Sequence, residues 1–291
     1  DIVANAVPSS PDGVMVGGVA RAEHENLCLY SFEHGALDFS YGSIDSGHVA
    51  VPVVDIAQEL PVREMTVESW IKWYRGTDWA GPVTAAQDDG SAEKGFALSS
   101  RCSGDECISG LTMAFAISTV GGNTDGDGVL TYVGCEDGAT GNGGGGTRDP
   151  GAKVGSTPGA AADLGEWVHI AGVYDGAVAS LYLNGNLIVT SATSVRGQSG
   201  DILYPDVGER GSYQAVNGGW FTIGAYHDAN EYYPVNGVVD EIRLWNVART
   251  VSQIVEMKCD TLPMNLFDRA TAQGLMHYWM LDENAGFTAF D

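Results

Sequence analysis

The sequence predicts an all-β fold, with antiparallel strands in two sheets and one short helix near the C-terminus. Three observations carry this. Residues 166–185 (EWVHIAGVYDGAVASLYLNG) hold two alternating apolar runs joined by Asp175-Gly176 and leaving through Asn184-Gly185, dipeptides suited to the positive φ angles of hairpin turns. Residues 236–246 (NGVVDEIRLWN) alternate likewise, which places Val238, Asp240, Ile242 and Leu244 on one expected face and Glu241, Arg243 and Trp245 on the other. Hydrophobic residues make up 44% of the 291-residue chain, enough for a two-sheet core, and 40 glycines supply its turns.

Residues 1–22, with PSSPDG and a run of small side chains, show no sustained period and read as an N-terminal arm or linker. Strands are expected at 27–33, 48–54, 65–74, 95–101, 108–118 and 129–133. Along 65–74, Met65, Val67, Ile71 and Trp73 share one face, while Glu68, Trp70, Lys72 and Tyr74 share the other. Residues 134–165, with GATGNGGGGTRDPG, and the polar stretch 194–219 read as loop insertions. A strand at 220–225 precedes the one at 236–246. VARTVSQIVEMK then forms the helix, with Thr250 and Gln253 placed as a capping box and Val251, Ile254 and Val255 on one side.

Together these segments resemble the laminin G-like, pentraxin-like jelly roll of the concanavalin A-like lectin and glucanase superfamily. The resemblance rests on WVHIAGVYDG with LYLNG, on GVVDEIRLWN, on LDFSYGSIDSGHVAVPV (37–53) and on MTVESWIK (65–72). GLMHYWMLDENAGFTAFD (274–291) is similar to the family's opening strand, as is the shorter NLCLYSFEHG (26–35), so the last strand is expected to close the sandwich beside the first. Because the segments run in a single order, the resemblance implies one jelly roll domain over residues 23–291, preceded by the arm. In related lectins and glucanases the aspartate matching Asp240 binds calcium with backbone oxygens of an early loop. Here that loop is 41–47, with Asp45 and Ser46 as candidate ligands. The other reading of Asp240 is a carboxylate hydrogen-bonded to backbone or paired with an arginine, since it cannot be buried alone.

Thirty-eight acidic residues against fourteen basic ones give a formal charge of −24. Such a chain is repelled by nucleic acid and by anionic membrane, and it attracts cations. No stretch reaches the ~20 apolar residues of a membrane span. Of five cysteines, Cys102 and Cys107 flank a four-residue turn between two strands, where a bridge fits; Cys28, Cys135 and Cys259 remain. Bridging implies an oxidising, extracellular setting, while buried reduced thiols are the competing reading. Asn123, Asp125, Asp127 and Gly128 reproduce the first half of a calcium loop. Gly134 stands where its last acidic ligand belongs, so a polar turn competes with a metal site there.

Flat rings beside polar groups are what a sugar face requires. Two sets qualify: Trp70 and Tyr74 with Trp79, and the loop residues His227, Asp228, Glu231, Tyr232 and Tyr233. Burial of the first set under Trp79 and the Gly-rich loop is the alternative. Glucanases of the superfamily carry Glu-x-Asp-x-(x)-Glu on one strand, which this chain lacks, and it has neither a Gly-x-Ser-x-Gly turn nor a phosphate loop. His169 reads as structural. The expectation is a non-catalytic, calcium-stabilised extracellular module for recognition or assembly. It would bind a glycan or an extracellular protein, with residues 1–22 contributing to homo- or hetero-assembly. The alternative is a polysaccharide-active hydrolase or lyase of the same superfamily.

Overall fold

Two antiparallel sheets face each other in the computed structural model, which describes residues 2–3, 13–16, 20–23, 35–40, 47–51, 60–76, 79–88, 93–101, 111–120, 130–133, 161–190, 200–204, 221–227, 231–259 and 273–282. The nine-stranded sheet runs in the order β1 (Ile2–Val3), β2 (Gly13–Val16), β5 (His48–Val51), β15 (Phe221–Ile223), β7 (Val83–Asp88), β8 (Glu93–Arg101), β9 (Leu111–Ser118) and β10 (Leu130–Val133), with β11 (Ala161–Ala162) also on β9. The eight-stranded sheet runs β14 (Asn186–Thr190), β13 (Ala179–Leu183), β12 (Trp167–Tyr174), β6 (Met65–Arg75), β18 (Asn236–Trp245), β4 (Gly35–Asp38) and β3 (Ala20–Glu23). The closing strand β19 (Leu275–Trp279) pairs with β18 beyond the point where β4 leaves it, so it joins this sheet end to end with an early strand. A two-stranded hairpin of β16 (Ala225–His227) and β17 (Tyr232–Pro234) and one helix, α1 (Val251–Met257), complete the described elements.

The expected hairpin forms as β12 and β13. Asp175 Oδ1 accepts from the N–H groups of Ala177 and Val178, and Gly176 takes φ 89°, while Asn184 and Gly185 turn the chain at φ 52° and 83°. Alternation holds along β6: Met65, Val67, Ile71 and Trp73 enter the core between the sheets. In β12, Val168, Ile170 and Tyr174 do the same. Gly172 sits among them where a Cβ would run into the Phe115 ring of the opposite sheet, so only glycine allows this spacing.

Three expectations change. Residues 2–3, 13–16 and 20–23 do not stand apart as an arm. They are strands β1 to β3, and β2 pairs with β5 while β3 pairs with β4. At 2 to 4 residues each, these strands are too short to show a period. In β18 the alternation breaks at a bulge: Asp240 faces Trp70 and Arg243 faces Glu68, so Glu241 and Ile242 together oppose Ser69. Glu241 adopts φ 52° there. Asp240 therefore shares its face with Val238, Trp70 and Arg243, whereas Val239, Ile242 and Leu244 enter the core. In α1 the capping box is present, but Ile254 alone is buried, and Val251 and Val255 are 43% and 46% exposed. The expected strand at 27–33 and the turns carrying Cys102 and Cys107 lie outside the described residues. Cys259 is disulfide-bonded, to a partner also outside them.

Candidate functional site

The outer face of the eight-stranded sheet carries a buried polar network. Glu68, projecting from β6, is its hub: one carboxylate oxygen accepts from Trp245 Nε1 and from Arg249, each at 2.8 Å, and the other lies 3.4 Å from His169 Nε2. Burial alone would raise the Glu68 carboxyl, but the His169 hydrogen bond and the charges of Arg249, His169 and Arg243 outweigh it and hold it at about 2. Burial drives His169 the opposite way, below the usual imidazole value. Beside this hub Arg243 pairs with Glu241, which also accepts from the Tyr278 hydroxyl, and its guanidinium lies over the Tyr278 ring.

The network also fastens α1 to the sheet. The last carbonyls of a helix lack partners within it. Here Arg243 donates to Met257 O and Trp70 Nε1 to Lys258 O, Arg249 adds a bond to Gln253 O one turn earlier, and Ile254 packs on Ala171, Val173 and Tyr182. Trp70, expected as a sugar platform, is thus only 5% exposed, under the end of the helix. Tyr74, farther along the same face, is 45% exposed. Trp79 belongs with the other sheet, its backbone N–H donating to Ser100 O.

Asp240 is fully buried beside this network, and its Oδ1 accepts the Glu241 backbone N–H. Burial, followed by repulsion from Glu241 and Asp282, pushes its carboxyl well above the ordinary range. Calcium there would draw on Asp240 and on backbone oxygens. Among the described residues, no three His, Cys, Asp or Glu side chains converge as metal ligands. Asp45 and Ser46, and likewise Asn123, Asp125 and Asp127, lie outside the described residues.

The outer face of the nine-stranded sheet is built differently. Its outward residues include Ala50, Thr84, Ala86, Ala97, Ala116 and Thr222, all small and buried. The β16–β17 hairpin folds onto this surface: Thr84 and Thr222 hydroxyls both donate to Ala225 O, and Tyr226 and Tyr233 pack on the alanines. At the turn end of the hairpin, His227 and Tyr232 face each other in register. Their ring centres are 4.6 Å apart, and His48 from β5 lies 4.9 Å from His227 and 5.6 Å from Tyr232. His48 is buried. Its surroundings, and then the nearby His227, lower it to about 3, so it is neutral at physiological pH. His227, Glu231, Tyr232 and Tyr233 are half-buried, and the Tyr233 hydroxyl donates to Glu231 at 3.2 Å.

A laminin G family model, described as the concanavalin A-like lectin/glucanases superfamily, matches residues 43–255. The chain belongs to this superfamily. Solved structures similar to this laminin G-type sandwich include the native heptameric SAP-like pentraxin of Limulus polyphemus, at 17% identity over 67% of this chain and 70% of that one, with a TM-score of 0.36. Domain 4 of AbnA, an extracellular GH43 arabinanase of Geobacillus stearothermophilus solved with arabinotriose, is 13% identical over 88% and 97% of the two chains, with a TM-score of 0.47. A putative carbohydrate binding protein of Bacteroides ovatus is 18% identical over 77% and 49%, with a TM-score of 0.38. No curated protein matches significantly.

The signature residues of the laminin G-type segments, Glu68, His169, Glu241, Arg243 and Trp245, thus converge in the interface between sheet and helix. Of the second expected sugar set, His227 meets Tyr232 and Glu231 meets Tyr233, as two neighbouring pairs on one hairpin, while Asp228 lies outside the described residues. Sequence reasoning missed His48. It opens a strand whose Val49 and Val51 point into the core, so period-2 alternation already placed it on the outer face; only the fold sets it beside His227.

Proposed function

We propose that this laminin G-type sandwich is a non-catalytic extracellular recognition module that binds a glycan at the rim of the β16–β17 hairpin. The carrying observation is the half-buried ring pair of His227 and Tyr232 at the hairpin tip, with the half-buried Tyr233 and the Glu231 carboxylate to which it donates on either side of Tyr232 in sequence. Rings of this kind receive the C–H face of a sugar, and an acceptor at their edge takes its hydroxyls. Seated on a sheet rather than on a long loop, the rings are held in place before a ligand arrives, which lowers the entropic cost of binding. With a chain charge of −24, neutral glycans are favoured over sulfated or uronic ones.

The hydrolase reading has less support. Retaining or inverting hydrolysis needs two carboxyl groups open to substrate and water. Glu68 and Glu241 are instead held by arginines beneath α1. A screen of immobilised neutral and anionic glycans tests the proposal. Binding to neutral glycans, weakened about tenfold or more by Tyr232→Ala, is expected. Release of reducing ends from any of these polysaccharides, with no binding affected by Tyr232→Ala, would favour the enzyme instead.

A further inference from the structure

We propose that His48 and His227 form a binding site for a divalent transition metal of the zinc class, which fastens the β16–β17 hairpin to β5. The two imidazoles come from distant parts of the chain and meet with ring centres 4.9 Å apart, near edge-on. Zinc–nitrogen bonds of about 2.0–2.1 Å at a roughly tetrahedral angle bring two ligating imidazoles to about this separation. The ligand type selects the ion: imidazole suits zinc, copper and nickel, whereas calcium takes oxygen donors, so this site is distinct in kind from one at Asp240.

The position also gives a bound ion something to do. Two-stranded hairpins are at best marginal by themselves, and this one has strands of only 3 residues. Its open end is held by the chain, running straight from β15 and into β18, and by Val235 N–H on Gly224 O, the two threonine hydroxyls on Ala225 O and two tyrosines packed on alanines, whereas its tip lies farthest from these anchors. His48 stands on β5 of the underlying sheet and His227 at the end of the hairpin's first strand, so one ion on both would cross-link the hairpin tip to the sheet. Tyr232 packs against both imidazoles and limits their rotation. Among the described residues no third His, Cys, Asp or Glu completes a triad, so the two imidazoles are the ligands that the described residues supply. The strongly negative chain raises the local cation concentration.

Titrating the chelator-stripped full chain with zinc chloride, followed by calorimetry, tests this, with calcium chloride as the control. One zinc ion per chain is expected, not displaced by calcium. With cupric ion as a second probe, electron paramagnetic resonance should show two nitrogen ligands. Half-buried His227→Ala should weaken zinc binding about tenfold or more while the chain stays folded in chelator by circular dichroism. His48→Gln, which preserves the buried volume better than alanine, should do the same. Absence of zinc binding up to millimolar concentration, a His227→Ala chain that binds as tightly as the original, or a copper spectrum without nitrogen coupling would overturn the proposal. No sugar enters the measurement, so its failure is separate from failure of the glycan reading.

Discussion

On the eight-stranded sheet the outward side chains are large and mostly polar or charged: Glu68, His169, Arg243, Trp245 and Trp70 lie under a helix whose final carbonyls Arg243 and Trp70 hold. On the nine-stranded sheet they are alanine, threonine and serine, and the cover is a short hairpin bearing tyrosines and a histidine. Both faces are buried, by opposite means. Many interlocked charges permit one arrangement of the first face, because each ion left without its partner would be costly. Small side chains make few demands, so the hairpin on the second face can carry half-buried rings. The residues that mark the superfamily in sequence belong to the sealed face and report the fold. The candidate recognition rim sits on the face whose floor has the plainest sequence.

The largest test of this contrast is Glu68→Ala. It strips Arg249 and Trp245 Nε1 of their shared acceptor and leaves buried positive charge, so a loss of about 3–5 kcal/mol is expected in chemical denaturation. A loss below about 1 kcal/mol, the scale of an exposed pair, would remove the distinction between the faces. Next comes acid. The folded-state Glu68 carboxyl lies at about 2 against an ordinary 4.5, so its contribution is fully present above about 4.5 and disappears as pH falls towards 2. Glu68→Gln should therefore flatten the acid limb of the stability curve in that window, which urea melts across pH would show.

Asp240 sharpens the comparison from the same sealed face. Burial and two neighbouring carboxylates disfavour its ionised form, and either a cation or a proton relieves them. Excess calcium should raise the melting temperature relative to chelator in the original chain and leave Asp240→Asn unmoved, because a ligand of the native state stabilises it. An original chain that melts identically in both conditions would count against calcium at Asp240. The smallest effect belongs to the other face. Thr84→Val and Thr222→Val should each cost about 1 kcal/mol and act non-additively, since both hydroxyls share Ala225 O. Hydrogen exchange should then quicken in the hairpin before it does in β6 or β18.

How much of this was legible follows from the same physics. The β12–β13 hairpin and the two faces of β6 were readable because period 2 and turn dipeptides are local signals. Asp240 was picked out correctly as a buried carboxylate, yet its face was misread, because the bulge at Glu241 and Ile242 depends on pairing with Ser69 and has no local signature. Strand β7 (VTAAQD) was not anticipated: its alanines have low strand preference, and Ala86 serves the hairpin packed on it while Ala85 faces the core. Trp70 and Tyr74 share a face in sequence, and only the helix placement separates a buried ring from an exposed one. His48 and His227 become neighbours through the tertiary fold alone.

Among the described strands, β14 ends the eight-stranded sheet and reads NLIVT, with Leu187 50% exposed and Ile188 and Val189 half-buried. An apolar outermost strand offers unpaired backbone groups to another molecule. At low ionic strength the −24 charge keeps chains apart. Raising salt from about 0.15 M to 1 M shortens the screening length from about 8 Å to 3 Å, so that repulsion fades while the apolar attraction strengthens. Concentrated salt is therefore a condition under which such chains would associate through this strand.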